Sequence, residues 1–230
     1  EPVPAMPNDL VVRSGKVYQR TSGGSFRAYP SRRDITRAGV KPLAYAHPAD
    51  VFFLQIQGSG RLVLPDGHTI RAAYAANNGH KFESTANWLI NKGWINRSEA
   101  SMQGIRAWMD RTTPERAREA MNSNPRYIFF KADDEGDPAL GPKGAAGVRL
   151  TPLGSMAVDT TVHPLGVPVF VQTTAPGLGG DWSGLLIAQD TGNAIRGPVR
   201  GDIYFGTGVE AGERAGTMNA PGRMWVLLPR

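Results

Sequence analysis

Short apolar runs, separated by glycine, proline and aspartate, fill both ends of this chain, and this pattern is typical of β-strands joined by turns. Near the start, residues 9–12 and 16–18 form two such runs. Residues 31–39 predict a short helical segment that Gly39 ends. In the second half we predict strands at 127–130, 155–158, 167–171, 185–189, 202–205 and 224–228.

The clearest hairpin pattern lies between residues 51 and 72. The apolar run 51–57 is interpreted as a strand that ends in glycines. The runs 61–64 and 69–72 flank Asp66 and Gly67, a pair that favours a tight turn between two strands.

Residues 83–123 change to a helical period and predict three helices. The first covers 84–90, and Ser98 is expected to cap the second. The third begins at Thr113, followed by a proline at the first helical position. The second helix is expected to bury the face formed by Met102, Ile105 and Met109.

Composition narrows the classes of fold and site. The 230 residues include 28 Gly and 18 Pro, which favours a turn-rich, mostly β protein over a helical bundle. There is no Cys, so disulfides and thiolate metal sites are excluded. The four histidines are far apart, and the acidic stretch 133–138 lacks the ligand spacing of a Ca²⁺ loop. We expect no metal and no cofactor.

The net charge of +6 favours anionic partners. Arg and Lys are scattered, with no dense basic run that alternates with aromatic residues, so nucleic acid is not the expected partner. An acidic polysaccharide fits diffuse positive charge equally well.

Two aspartates bracket a glycine-rich loop and suggest chemistry. Asp190 follows one apolar run and Asp202 precedes another, so both carboxylates are suited to proton transfer on a bound substrate. The alternative is an ordinary turn, in which Asp and Gly are common. Asp159 has a matching position at a third strand end.

A second glycine-rich stretch runs from Gly58 to Gly60. A strand follows it, whereas phosphate loops and dinucleotide sites require a helix there. The stretch is either the floor of a ligand groove or a tight bulge. Ser59 and Ser155 lie near glycines, but neither is in a nucleophile-elbow motif.

Taken in order, these residues resemble the MltA family of lytic transglycosylases over nearly the whole chain. In the C-terminal half the resemblance rests on segments of the family's 3D domain, named for three aspartates: 150–159, 163–169, 188–192, 202–204, 206–208 and 222–229. In the N-terminal half it rests on 50–61, 78–79, 101–108 and 124–130. Asn193 departs from the family's usual Gly.

The resemblance implies a mostly β fold with two domains and a groove between them. Residues 1–125 are expected to form a smaller β-barrel with a few short helices. Residues 126–230 are expected to form the 3D domain, part of a double-psi (barwin-like) β-barrel. A further N-terminal fragment of the same protein is implied as a partner that contributes to the larger barrel.

The resemblance also implies a reaction. The family cleaves the β-1,4 bond between N-acetylmuramic acid and N-acetylglucosamine in peptidoglycan and leaves 1,6-anhydromuramoyl ends. Asp202 is implied as general acid and then base, with Asp190 as its electrostatic partner. Asp202 must start neutral, and partial burial beside residues 203–205 is expected to favour that form. The implied location is the periplasm, in association with the outer membrane.

Further residues are expected to bind the glycan strand. On one side of the groove these are Asp159, Ser155, Gln189, Thr191, Gly192 and Tyr204. The opposite wall is expected to carry Gln55, Gln57, Gly58 and Ser59. Three alternatives to the transglycosylase stay open: a two-carboxylate glycoside hydrolase, a non-catalytic peptidoglycan-binding module and, more remotely, a nucleic-acid binder.

Overall fold

The computed structural model describes residues 1–35, 39–134, 136–137, 139–192 and 194–228. The chain divides into two compact units, Glu1–Glu135 and Gly136–Arg230. Parts of the predicted segments 31–39 and 133–138, and Asn193, lie outside the described residues.

Unit 1 combines three small sheets with a helical layer. Its strands are β1 (Pro2–Pro4), β2 (Leu10–Arg13), β3 (Lys16–Arg20), β4 (Phe26–Ala28), β5 (Pro42–Tyr45), β6 (Ser59–Val63), β7 (Thr69–Asn77) and β8 (Ile128–Asp134). Its α-helices are α1 (Pro48–Gln57), α2 (Thr85–Asn91), α3 (Met102–Arg111) and α4 (Pro114–Asn122). The strands pair as β1-β5, β2-β3-β4 and β6-β7-β8.

Helix α1 corrects the prediction of a strand over 51–57. Pro48 occupies the first turn, and Gly58 ends the helix with a left-handed φ of 83° while its N–H bonds to the Leu54 carbonyl. The helix buries residues toward two clusters at once: Phe52 packs among the helices, and Val51 packs against β8. Because both sides are apolar, the run shows no helical periodicity, and length alone does not separate it from a buried strand.

Side-chain caps fix where the other helices of unit 1 begin. The Thr113 hydroxyl accepts from Arg116 N–H at the start of α4, as predicted. The Ser84 hydroxyl accepts from Asn87 N–H and is the cap of α2, whereas the sequence predicted Ser84 as the first helical residue. The cap of α3 is Ser101, which accepts from Gly104 N–H, and not Ser98, which lies in a short 3₁₀ helix. Ile105 and Met109 are buried as predicted, whereas Met102 is exposed.

Unit 2 is built on one five-stranded sheet. Its strands are β9 (Ser155–Val158), β10 (Pro168–Ala175), β11 (Gly180–Asp190), β12 (Gly201–Ile203) and β13 (Gly222–Val226), in the order β12-β9-β11-β10-β13. The β9–β11 pair is parallel and the other three pairs are antiparallel. One face of the sheet carries the core, formed by Met156, Val158, Val169, Val171, Leu186 and Ala188. Helix α5 (Val209–Gly216), which the sequence did not predict, follows β12.

The expected mostly β fold with a few helices in two units is confirmed. Strand β8 pairs with β7 and therefore lies in unit 1, although the boundary expected at residue 125 had put it in the second domain. The prediction of a strand there was correct, but its pairing depends on residues far away in the sequence.

Candidate active site

Strand β9 brings Asp190 and Asp202 into one row. Ala157 in β9 is paired with Asp202 of β12 on one side and with Asp190 of β11 on the other. Neighbouring strands lie about 4.8 Å apart, so the two aspartate Cα atoms are roughly 10 Å apart. Residues paired in register project from the same face of a sheet, and Ala157 lies on the face opposite the core.

A β-bulge turns Asp190 toward this face. The β9–β11 register runs Ile187 with Ser155 and Ala188 with Met156, then skips Gln189 and pairs Asp190 with Ala157. By simple alternation, Asp190 would follow Ala188 onto the core face. The extra residue reverses the alternation, as bulges near active sites commonly do.

Asp202 is more exposed than the sequence suggested. Its side chain is 52% exposed, and Arg200 Nη2 lies 2.9 Å from its Oδ1 in a salt bridge. The expected partial burial beside residues 203–205 is therefore wrong for this structure. Ile203 is turned to the core, because it pairs with Met156 in the next register position.

The side chain of Asp190 is less exposed to solvent than that of Asp202. Burial raises the pKa of its carboxyl group, while N–H donors of Thr191 and Ala145 act in the opposite direction. Ala145 N–H bonds to Asp190 Oδ1 at 3.0 Å. The two acids thus differ, since Asp190 is enclosed and Asp202 faces solvent beside a cation.

Ser155 links the start of β9 to the end of β11 by a side-chain hydrogen bond. Its residue is fully buried, and its hydroxyl accepts from Thr151 N–H and donates to Gln189 Oε1. Gln189 is half-buried, and its carbonyl accepts from Ala146 N–H at 3.0 Å. The expectation that Ser155 binds substrate is corrected, because its hydroxyl bonds within the protein and is inaccessible.

Asp159 anchors the glycine-rich loop after β11. Its side chain is 6% exposed and accepts from Gly197 N–H at 2.9 Å and from Arg196 Nη1 at 3.3 Å. The N–H and hydroxyl of Thr161 also donate to it. These donors, with Gly197 first, hold the pKa of Asp159 well below its usual range. Asp159 is thus placed as a structural anchor and not as an exposed substrate contact.

The remaining unit 2 residues predicted to bind substrate lie around the two acids. Thr191 is exposed, but its hydroxyl donates to the Val158 carbonyl. Gly192 lies next to the Ile195 side chain. A Cβ added at Gly192 would be 3.1 Å from Ile195 Cδ1. Tyr204 is half-buried, and its hydroxyl lies 2.8 Å from the Thr207 hydroxyl.

The residues expected on the opposite wall all belong to unit 1. Gln55 is buried in α1, where it accepts from Arg32 Nη1 and donates to the Ile128 carbonyl, so its role as a substrate ligand is corrected to a structural one. Gln57 is exposed at the end of α1, Gly58 is the helix cap, and Ser59 begins β6.

Two participants were missed from the sequence. Arg200 directly precedes β12 and is separated from Asp202 by one residue, so the two-residue period of an extended chain could have indicated that they share a face. Ala145 is 45 residues away from Asp190, and no sequence pattern marks its N–H donor. Within the described ranges, no group of three His, Asp or Glu side chains is arranged to hold a metal. No helix in the same ranges has the length and hydrophobicity of a membrane span.

Family models and known proteins match the two units in order. The MltA specific insert domain matches residues 1–131, and the 3D domain matches residues 154–228. A curated relative, membrane-bound lytic murein transglycosylase A of Escherichia coli (strain K12), is 35% identical over 209 residues, covering 86% of this chain and 56% of the relative. The chain thus spans about half the length of this curated relative.

Solved structures agree with these matches. A membrane-bound lytic murein transglycosylase from Agrobacterium tumefaciens superposes with a TM-score of 0.86 at 34% identity, covering 99% of this chain and 67% of the other. E. coli MltA with bound chitohexaose superposes with a TM-score of 0.79 at 29% identity, covering 98% of this chain and 64% of the other.

Proposed function

This chain belongs to the MltA family, and from that premise we propose that it carries the acid machinery of a peptidoglycan lytic transglycosylase. The substrate is a glycan strand, cut between N-acetylmuramic acid and N-acetylglucosamine with formation of a 1,6-anhydromuramoyl end. The relative that was solved with bound chitohexaose supports an oligosaccharide as ligand.

The observation that carries this proposal is the row Asp202–Ala157–Asp190 on the face opposite the core. A small side chain separates the two acids, so a sugar can approach the sheet between them. The bulge at Gln189 matters here, because it places Asp190 on the face that Asp202 occupies.

Asp202 acts first as an acid and then as a base. In its protonated form it donates to the glycosidic oxygen while the bond from that oxygen to the anomeric carbon breaks. Its carboxylate then takes the proton of the C6 hydroxyl, and that oxygen bonds to the anomeric carbon of the same sugar. No water is consumed, and holding the sugar in position replaces a separate nucleophile.

Arg200 and Asp190 assist this cycle in different ways. The Arg200 guanidinium, 2.9 Å from Asp202 Oδ1, fixes the orientation of the carboxylate between turnovers. Substrate binding must displace or reorient this exposed pair to bring the glycosidic oxygen to the Asp202 carboxyl group. Asp190, held by backbone donors, supplies negative charge toward the positive charge that develops on the sugar.

The proposal is tested with Asp202→Asn, using purified peptidoglycan sacculi and mass spectrometry of the released fragments. We expect the loss of anhydro-ended fragments, by about 100-fold or more, with binding to sacculi retained. Asp181→Asn is the matched control, because Asp181 is exposed at the other end of β11. Release by Asp202→Asn at the rate of this control would show that Asp202 is not the acid.

The same digest separates transglycosylation from hydrolysis. A spacing of two strands leaves room for a water molecule between two carboxyl groups, which is the arrangement of inverting hydrolases. Hydrolysis adds one water to each cut end, whereas the proposed reaction adds none. Fragments that are heavier by one water, and whose release requires both Asp190 and Asp202, would favour the hydrolase. Binding to sacculi without release of any fragment would favour a binding module.

The proposed location follows from the relative. The E. coli relative is named a membrane-bound protein. We place the function in the periplasm, in association with the outer membrane, where peptidoglycan is accessible. An N-terminal fragment of the same protein remains the proposed structural partner.

A further inference from the structure

A hairpin in unit 2 folds over the end of β11. This 141–150 hairpin is closed by hydrogen bonds from Gly141 N–H to the Leu150 carbonyl, 2.7 Å, and from Leu150 N–H to the Pro142 carbonyl, 2.9 Å. At its tip, Gly144 N–H bonds to the Val148 carbonyl, also at 2.9 Å. Leu150 is buried, so the base of the hairpin is fixed in the packed part of the unit.

The tip of the hairpin bonds to two consecutive residues of β11. Ala146 N–H donates to the Gln189 carbonyl at 3.0 Å, and Ala145 N–H donates to the Asp190 carboxylate at 3.0 Å. The first of these bonds holds the bulged residue itself. The second reaches the side chain that the bulge has turned toward Asp202.

Two glycines allow the hairpin to approach this closely. A Cβ at Gly144 would overlap the Gln189 carbonyl oxygen and come within 2.8 Å of Leu150 Cδ2. A Cβ at Gly141 would lie 2.5 Å from Tyr204 Cζ. Gly144 therefore faces the strand end that carries Asp190, and Gly141 faces the segment that begins two residues after Asp202.

We propose that the 141–150 hairpin is a positioning element for the reaction, which holds both acid-bearing segments in one frame through Gly144 and Gly141. This inference rests on the proposed function for its effect on activity. Its structural part, the placement of Asp190, can be measured without substrate.

The environment of Asp190 supports this role. Burial is the largest cause of its raised pKa, and the N–H of Ala145 moderates the shift. The charged residues on the hairpin, on the loop after β11 and on β12 are Lys143, Arg149, Arg196, Arg200 and Asp202, and none of them is among the causes of this shift. Burial, and not a neighbouring charge, is therefore the main cause of the raised pKa of Asp190.

The main test compares Gly144→Ala and Gly141→Ala with Gly212→Ala. Gly212 lies in α5, where a Cβ would meet nothing within 4 Å, so its replacement adds the same methyl group without a clash. Gly144→Ala is expected to lower kcat about 10- to 100-fold with KM little changed, because it displaces the reacting groups by a fraction of an ångström or more. Gly141→Ala is expected to lower kcat in the same way through Tyr204.

A ¹³C NMR titration of the Asp190 carboxyl group provides a second readout. Displacement of the tip exposes Asp190, so its pKa should fall toward the ordinary value in Gly144→Ala and stay unchanged in Gly212→Ala. Ala145→Pro removes the N–H donor without adding bulk toward Gln189, and it should raise the pKa of Asp190 further. Should Gly144→Ala fail to fold, Ala145→Pro decides the question.

The two proposals fail in different ways. An unchanged Asp190 titration in Gly144→Ala and Ala145→Pro, or a kcat of Gly144→Ala and Gly141→Ala equal to that of Gly212→Ala, overturns the positioning role. Absence of any cleavage by the unmodified chain overturns the proposed activity. In that case the Asp190 titration still tests whether the hairpin positions the Asp190 carboxyl group.

Discussion

At the scale of single residues, the three aspartates of unit 2 have different surroundings despite similar positions in the sequence. Asp159 accepts several hydrogen bonds in the interior, Asp190 is enclosed under a backbone donor, and Asp202 is exposed beside Arg200. Each follows or precedes an apolar strand, so the local sequence does not separate them. The partners that distinguish them include Arg196, 37 residues away from Asp159, and Ala145, 45 residues away from Asp190.

Asp159 should make stability depend on pH. Its pKa is lower in the folded chain than in the unfolded one, because Gly197, Thr161 and Arg196 donate to the carboxylate. The stabilisation is present above the unfolded value of about 3.9 and is lost as the pH falls below it. Asp159→Asn should lower the melting temperature at pH 7 and flatten its decrease between about pH 5 and 2.

Thermal unfolding followed by circular dichroism across this pH range measures the effect. Asp181→Asn serves as the control, because Asp181 is exposed. Parallel pH profiles for Asp159→Asn and the unmodified chain would contradict the anchoring role of Asp159.

At the scale of elements, capping chemistry predicted one helix start correctly, at Thr113, and misplaced another. Ser84 and Thr113 are caps, but Ser101 caps α3 in place of Ser98. Both serines precede a helical run, and Ser98 became part of a 3₁₀ turn because Asn96 and Glu99 form a capping box around it. Competition between nearby caps is decided by such local hydrogen bonds, which the spacing of apolar residues does not show.

The two serines provide a direct test of this assignment. Ser101→Ala should destabilise α3 by about 1 kcal/mol, because Gly104 N–H loses its acceptor at 3.0 Å. Ser98→Ala should have a smaller effect, since Ser98 is exposed and is not the cap of α3. Hydrogen exchange of the α3 amides compares the two variants, and equal protection in both would refute the cap.

At the scale of the whole molecule, the net charge of +6 is spread over many separated Arg and Lys residues. Diffuse charge of this kind raises the local concentration of an anionic polymer without specifying where it binds. It agrees with the proposed peptidoglycan substrate, whose peptide stems carry carboxylates.

Binding to sacculi should therefore weaken with salt. As NaCl rises from about 50 mM to 500 mM, the Debye length shortens and the fraction that sediments with sacculi should fall several-fold. Asp202→Asn should show the same salt dependence, because it changes one group among many. Binding that is insensitive to salt would show that contacts at the site, and not the overall charge, dominate affinity.

Local sequence patterns were sufficient to predict the mostly β class, the sheet strands of unit 2 and the pair of aspartates, because strand periodicity and strand-end carboxylates are local signals. Tertiary structure decided the helix over 48–57, whose apolar sides face two clusters, and the pairing of β8 within unit 1. It also decided the row through Ala157, the bulge at Gln189 and the hairpin donor at Ala145. These features depend on strand register and on contacts between segments distant along the chain, and no local pattern encodes them.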